Sequence, residues 1–146
     1  MESLELPVSV RHFRYPGDYP AVYKLWEQAG PGIHLRKSDT LEEIGKKTLR
    51  DPDLFLVAEA GGRIIGSILG GFDGRRGMMY HLAVEQDFRN QGTASRLVEE
   101  LERMLKSKGC LRYYLLVTKD NQNAIDFYEK RGWQRMELFT YAKDIA

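Results

Sequence analysis

The chain has almost no cysteine. Cys110 is the single one among 146 residues, and one thiol builds neither an internal disulfide nor a cysteine-based metal site, which fits a reducing cytoplasm. An excess of one charge is missing too. Lys and Arg number 22 against 21 Asp and Glu, a formal net charge of +1, so there is no basic field of the kind that carries general affinity for nucleic acid, and any bound anion has to be held locally. No apolar run approaches the ~18 residues of a membrane-spanning helix, so no membrane partner is expected. Met1 to Val10 carries Glu2 and Glu5 where a signal peptide would have a basic start and an apolar stretch. The three histidines, His12, His34 and His81, are not spaced like a zinc site, and no metal is expected. Gly-x-x-x-x-Gly-Lys-Ser/Thr is absent, which weighs against a nucleotide-binding protein. Repeats and low-complexity tracts are absent as well.

What is present is ordinary globular composition, 42% hydrophobic and 29% charged, at the length of one domain, 1–146. Val8 to Phe13 alternates like a strand. Asp18 is a candidate cap for a helix carrying Val22, Leu25, Trp26 and Ala29, with Trp26 packing it on the sheet. Ser38, Asp39 or Thr40 is placed to cap a second helix whose face is Leu41, Ile44, Lys47-Thr48 and Leu49. Leu54 to Ala60 and Arg63 to Leu69 are strand-like runs joined by Gly61-Gly62, a two-residue hairpin turn. A reversal at Asp73 to Gly77, with Arg75 and Arg76 exposed, leads into a third strand, Met78 to Val84. Leu97, Val98, Leu101, Met104 and Leu105 mark one face of a long helix ending near Gly109. A strand at Tyr113 to Val117, a helix after Asn121 closed by Gly132, and an extended tail from Met136 to Ile145 complete the order. His12 and Cys110 take structural places. This order describes an α/β or α+β sheet with helices on its faces. The strands Met78 to Val84 and Tyr113 to Val117, joined through a helix, run parallel, which puts the intervening loop where open sheets bind phosphates.

That loop holds the chemistry. After Leu82-Ala83-Val84 come Glu85 to Phe88, then Arg89-Asn90-Gln91-Gly92-Thr93-Ala94-Ser95. Gly92 lets a ligand approach the backbone, and small residues open the helix so that its N–H groups and positive end face outward. An ordinary strand-to-helix turn with a surface arginine also contains Arg-x-x-Gly. A second pattern follows, Asn121, Ala124, Phe127-Tyr128, Gly132-Trp133.

The two patterns at this separation resemble the GNAT superfamily of acyl-CoA-dependent N-acyltransferases, over nearly the whole chain, and Gly70 to Gly77 is similar to the small bacterial YpeA-type subgroup. The resemblance implies a mixed, mostly antiparallel central sheet with helices on both faces and a splayed parallel strand pair. It also implies acetyl-CoA as co-substrate, lying in that gap. Backbone N–H groups of Leu82, Ala83 and Val84 would hold the pantetheine, with that of Leu82 polarising the thioester carbonyl. Arg89, Asn90, Gln91, Gly92, Thr93, Ala94 and Ser95 would hold the pyrophosphate. Asn121, Ala124, Phe127 and Tyr128 would line the cofactor arm. Tyr128, protonated at neutral pH, would supply a proton to the departing thiolate; as a lone helix residue it would simply pack beside Phe127.

Amide formation also needs a neutral amine. Members of the family often carry a Glu or His at positions matching Met78 and Tyr80, neither of which is a base at neutral pH. Strict alternation turns His81 away from the face of Tyr80, an assignment a bulge would reverse. Glu85, His34 and a water chain are the other candidates. The expected reaction is transfer of an acetyl group to a primary amine of a small molecule or peptide by direct attack in a ternary complex. The competing expectation is a non-catalytic CoA-binding sensor or regulatory module. The acceptor pocket is expected from the early helices and the Phe72 to Gly77 loop, and a homodimer is compatible with the resemblance.

Overall fold

Apolar runs broken by glycine pairs set the strands. In the computed structural model, which describes residues 6–146, β1 (Val8–His12), β2 (Phe55–Ala60), β3 (Arg63–Phe72), β4 (Gly77–Val84) and β5 (Tyr113–Leu115) form one sheet in the order β1-β2-β3-β4-β5. The expectation resting on Glu2 and Glu5 lies outside the described residues. The first three pairings are antiparallel and β4–β5 is parallel, as expected. Gly61 and Gly62 turn β2 into β3 with φ of 57° and 74°, values open to glycine and costly for other residues. At the next reversal the Asp73 carboxylate accepts the N–H groups of Arg75 and Arg76, each at 2.8 Å, and both arginines are exposed.

The helices are α1 (Tyr19–Glu27), α2 (Leu41–Arg50), α3 (Thr93–Ser107) and α4 (Gln122–Lys130). Among the described residues no helix is long and apolar enough to cross a membrane. Asp18 stands at the start of α1 but does not cap it. Its carboxylate accepts the Arg11 guanidinium at 2.7 and 3.0 Å and the Arg14 N–H at 2.7 Å, while Arg11 also pairs with Glu59 on β2. Thr40 is the working cap of α2, accepting the Glu43 N–H at 3.3 Å. The apolar face of α2 is narrower than expected. Ile44 is buried but Leu49 is 87% exposed, since five residues along a helix turn a side chain about 140° from its starting direction.

Side chains on β3 alternate between two layers. Ser67 and Leu69 face α1 and α2: the Trp26 indole N–H donates to the Ser67 hydroxyl at 3.2 Å, and Trp26 and Phe13 both stack on Phe55, at 6.0 and 4.1 Å between ring centres. Gly66 and Gly70 face α3. A Cβ at Gly66 would lie 3.2 Å from a Leu97 methyl, and one at Gly70 2.4 Å from a Leu101 methyl. Leu97 and Leu101 are one turn apart and fully buried, so the two bare glycines form the seat of α3. That close packing sets where the N-terminus of α3 lies relative to the end of β4.

The chain divides into two compact units, one ending at Leu116 and the other Val117–Ala146. In the second, the Asn121 side chain caps α4 by accepting the Ala124 N–H at 3.3 Å, and Gly132, at φ 89°, follows its end. Two sequence expectations are corrected. β5 stops at Leu115, short of Val117, and among the described residues no strand follows α4. Leu138, Phe139, Tyr141 and Ile145 are 73–93% exposed. A strand exists only where its N–H and C=O groups find a ladder, and this unit contains none.

Candidate active site

The β3–β4 register shifts between Ser67 and Leu69, which pair with Ala83 and Tyr80 respectively. His81 and Leu82 therefore stand together opposite Ile68, and His81 takes a left-handed backbone, φ 49°. This is a β-bulge, and it overturns strict alternation. Tyr80 lies beside the Gly71 position and Lys47 of α2, and the His81 ring meets the Trp26 ring edge-on at 4.9 Å, so both side chains share the α1–α2 face. The His81 Nε2 lies 2.7 Å from the Asp39 carboxylate.

The same strand has a bare outer edge. β4 pairs with β5 only over Gly77–Met79, against Tyr113–Leu115. From Tyr80 to Val84, a stretch containing Leu82, Ala83 and Val84, no described strand lies against the side opposite β3. The turn leading to α3 then carries Asn90 at φ 63° and Gly92 at φ 82°. Gly92 begins α3 without any capping side chain and has open space where a Cβ would be. The first N–H groups of a helix have no partner within it, and successive backbone N–H groups in a turn of alternating hand make an anion-binding concavity. Asn90, Gln91 and Gly92 are exposed, Ala94 and Ser95 half-buried, and Thr93 buried. Arg89 is partly committed, since its Nε donates to the Val84 carbonyl at 2.9 Å, locking the end of β4 to the turn.

A recess of about 360 Å³ adjoins this turn, walled by Leu25, Gln28 and Ala29 at the end of α1 and by Val84, Glu85 and Arg89. Of the early helices α1 borders it, and the Phe72 to Gly77 hairpin does not. Glu85 is held by Arg63 at 2.5 Å, and His34 is exposed. Desolvation raises the Tyr80 phenol above its ordinary range, which removes it further from being a base. Among the described residues no cluster of His, Cys, Asp and Glu is arranged to hold a metal ion.

In the second unit, Tyr128 packs between Phe127 and Trp133, with ring centres at 5.1 and 5.6 Å. Burial pushes its phenol up to about 12, so the hydroxyl keeps its proton throughout the neutral range. Ala124, Phe127 and Tyr128 are half-buried, and Asn121 is the cap of the helix that bears them. Asp39 was legible only as a helix cap; its partnership with His81, 42 residues away, has no local sequence signal.

Residues 19–133 match the model of the acetyltransferase (GNAT) family. An acetyltransferase of Pectobacterium atrosepticum is 42% identical over 138 residues, covering 94% of this chain and 96% of its own, and one of Sodalis glossinidius is 40% identical over 130 residues, 89% of each. In structure, the PaiA N-acetyltransferase of Thermoplasma acidophilum, solved with coenzyme A, superposes with a TM-score of 0.80 at 20% identity, covering 92% of this chain and 94% of its own. Ard1 of Thermoplasma volcanium gives 0.75 at 26%, covering 86% and 81%. The chain belongs to the GNAT acetyltransferase family. It is an acetyl-CoA-dependent acyltransferase, with the mixed five-stranded sheet and parallel β4–β5 pair of that fold.

Proposed function

We propose that this protein transfers the acetyl group of acetyl-CoA to a primary amine of a small molecule or peptide, by direct attack in a ternary complex, and that 1–146 acts as one domain in doing so. The observation that carries this reading is the succession of a strand edge bare from Tyr80 to Val84 and an uncapped helix N-terminus at Gly92. An extended arm that hydrogen-bonds like a strand and ends in a pyrophosphate fits that succession.

Acetyl-CoA supplies an acetyl group activated as a thioester. The backbone of Leu82, Ala83 and Val84 would hold its arm, with the Leu82 N–H donating to the thioester carbonyl, where a fixed donor counts most as negative charge develops. The N–H groups of Asn90 to Ser95 and the positive end of α3 hold the pyrophosphate, with the remaining guanidinium nitrogens of Arg89 adding charge. The family resemblance gives Asn121, Ala124 and Phe127 of α4 to the arm and the Tyr128 hydroxyl to the departing sulfur as proton donor. The phenol holds that proton throughout the neutral range, and burial makes it a weaker acid than an ordinary tyrosine. A cytoplasmic location suits the free thiol of Cys110.

Calorimetric titration with acetyl-CoA, CoA and ATP, followed by a free-thiol assay over a panel of primary amines, tests the reading. Micromolar acetyl-CoA binding with thiol release dependent on an amine supports it. Normal acetyl-CoA binding without transfer to any amine favours the sensor or regulatory module, and tighter binding of ATP than of CoA refutes the cofactor assignment. Replacing Tyr128 by Phe should lower turnover by roughly 100-fold, within the range of general-acid contributions, and more than it weakens acetyl-CoA binding; unchanged turnover removes Tyr128 from the acid role.

A further inference from the structure

The bulge in β4 also sets the direction of the His81 side chain. A histidine at φ 49° occupies a backbone region disfavoured by about 1–2 kcal/mol, and this conformation accompanies a side chain on the α1–α2 face. There the ring meets a carboxylate that is itself held from several sides. One Asp39 oxygen lies 2.7 Å from His81 Nε2, the other accepts the Arg36 N–H at 3.0 Å, and the Asp39 carbonyl accepts the Tyr19 hydroxyl at 2.8 Å. Trp26 closes one side of the ring.

The pair is graded from inside to outside. Asp39 is 5% exposed, while the His81 side chain is 18% exposed. Burial raises the Asp39 carboxyl, but the His81 bond and the Arg36 N–H outweigh it and hold it below its usual range, so the carboxylate is anionic at neutral pH. A neutral imidazole facing an anion through Nε2 keeps its proton on that nitrogen and leaves Nδ1 as the acceptor. Among the described residues no group bonds Nδ1. Other candidate bases are worse placed: Glu85 is paired with Arg63, and the Tyr80 phenol is raised.

We infer that His81 is the general base of the reaction, taking a proton from the acceptor amine on Nδ1, with Asp39 as the positioning residue that fixes its tautomer and stabilises the imidazolium. This rests on the acetyltransferase reading above. As the amine nitrogen's lone pair forms the C–N bond, the nitrogen loses one proton to His81. The C–S bond breaks with its electron pair on sulfur, and sulfur takes a proton from Tyr128. His81 then releases its proton to solvent and Tyr128 regains one, so the products are an amide and a free thiol. His81 immediately precedes Leu82, so base and carbonyl-polarising N–H come from adjacent residues of one bulge. The titratable and charged groups facing the pair are Arg36 beside Asp39, Tyr19 of α1, whose hydroxyl donates to the Asp39 carbonyl, and Tyr80 of β4 with Lys47 of α2 near it on the same face.

The test is the pH dependence of kcat for acetyl transfer to butylamine, spermidine and alaninamide at millimolar concentration, with acetyl-CoA affinity measured alongside. Wild type should lose activity on the acid side through one proton. His81→Asn retains a side chain that tolerates positive φ; it should lower kcat roughly 100-fold and abolish that acid limb, with acetyl-CoA affinity unchanged. Asp39→Asn should keep the limb, move it to lower pH because the imidazolium loses its anion, and lower kcat less. His81→Gly, unstrained at this φ, should regain activity with added imidazole. An acid limb that persists in His81→Asn overturns the dyad and leaves the acetyltransferase reading standing. Acetyl-CoA binding by wild type without transfer to any of the three amines overturns both the base and the transfer, and absence of acetyl-CoA binding overturns the cofactor reading beneath them.

Discussion

Replacing Gly92 by Ala isolates the turn that opens α3. The backbone there sits at φ 82°, and a Cβ would meet nothing within 4 Å, so the substitution introduces no clash. Its only cost is conformational, about 1–2 kcal/mol for a left-handed residue bearing a Cβ. That cost has two outlets. If the turn keeps its shape, folding stability carries the loss, a fall in Tm of roughly 3–8 °C for a chain of this size. If the turn relaxes, the N–H groups of Gly92 and its neighbours rotate out of alignment, and the same energy appears as an acetyl-CoA affinity weaker by about 5–30-fold. Gly92→Asn tolerates this φ better and should lose less by both measures. Calorimetric acetyl-CoA titration and thermal unfolding of the three proteins read the two outlets together. Unchanged Tm and unchanged affinity in Gly92→Ala, or an Asn variant as impaired as the Ala one, would refute the assignment of this glycine.

Other outcomes follow from packing and charge. Gly70→Val places a branched side chain where even a Cβ would lie 2.4 Å from a buried Leu101 methyl; denaturant unfolding should show a loss of about 1–3 kcal/mol or more, and a neutral result would mean α3 is not seated on the glycines. Asp18→Asn should cost about 2 kcal/mol at pH 7, the scale of hydrogen bonds to a charged group. The Arg11 guanidinium, with the Arg14 N–H, holds the folded Asp18 carboxyl below its ordinary value. Its contribution is therefore present above about pH 4, the unfolded value, and is lost as pH falls through the lower folded one. Urea titrations from pH 7 to pH 3 should show the difference between variant and wild type shrinking, and a gap of constant size would refute the ion-pair origin.

The strand, turn and helix start around Gly92 were legible because their ingredients are contiguous: an apolar strand, a polar turn, Gly92, then small residues opening an amphipathic helix. Pairing of β2 with β3 was legible for a similar reason, since Gly61-Gly62 admits few alternatives. The His81 environment was not. Whether His81 shares a face with Tyr80 depends on one extra residue in β4 opposite Ile68, which alternating hydrophobicity does not encode, and its carboxylate comes from a segment that reads locally only as a cap. Gly66 and Gly70 were likewise silent, because a glycine required by a helix crossing the sheet looks no different in sequence from one in a loose strand. The tail misled in the other direction: its extended pattern is compatible with a strand, but pattern supplies no partner.

The bare edge of β4 also bears on how the protein behaves in the absence of ligand. An unpaired strand edge is a template for any extended chain, including another copy of the same protein, and natural sheets blunt such edges with charge, proline or bulges. Here the stretch from Tyr80 to Val84 carries no fixed charge apart from any proton on His81, and its bulge is the single blunting device in it. In the proposed complex an arm lying along that edge would cover it as well as react, and added coenzyme would then keep more of the protein dispersed at high protein concentration.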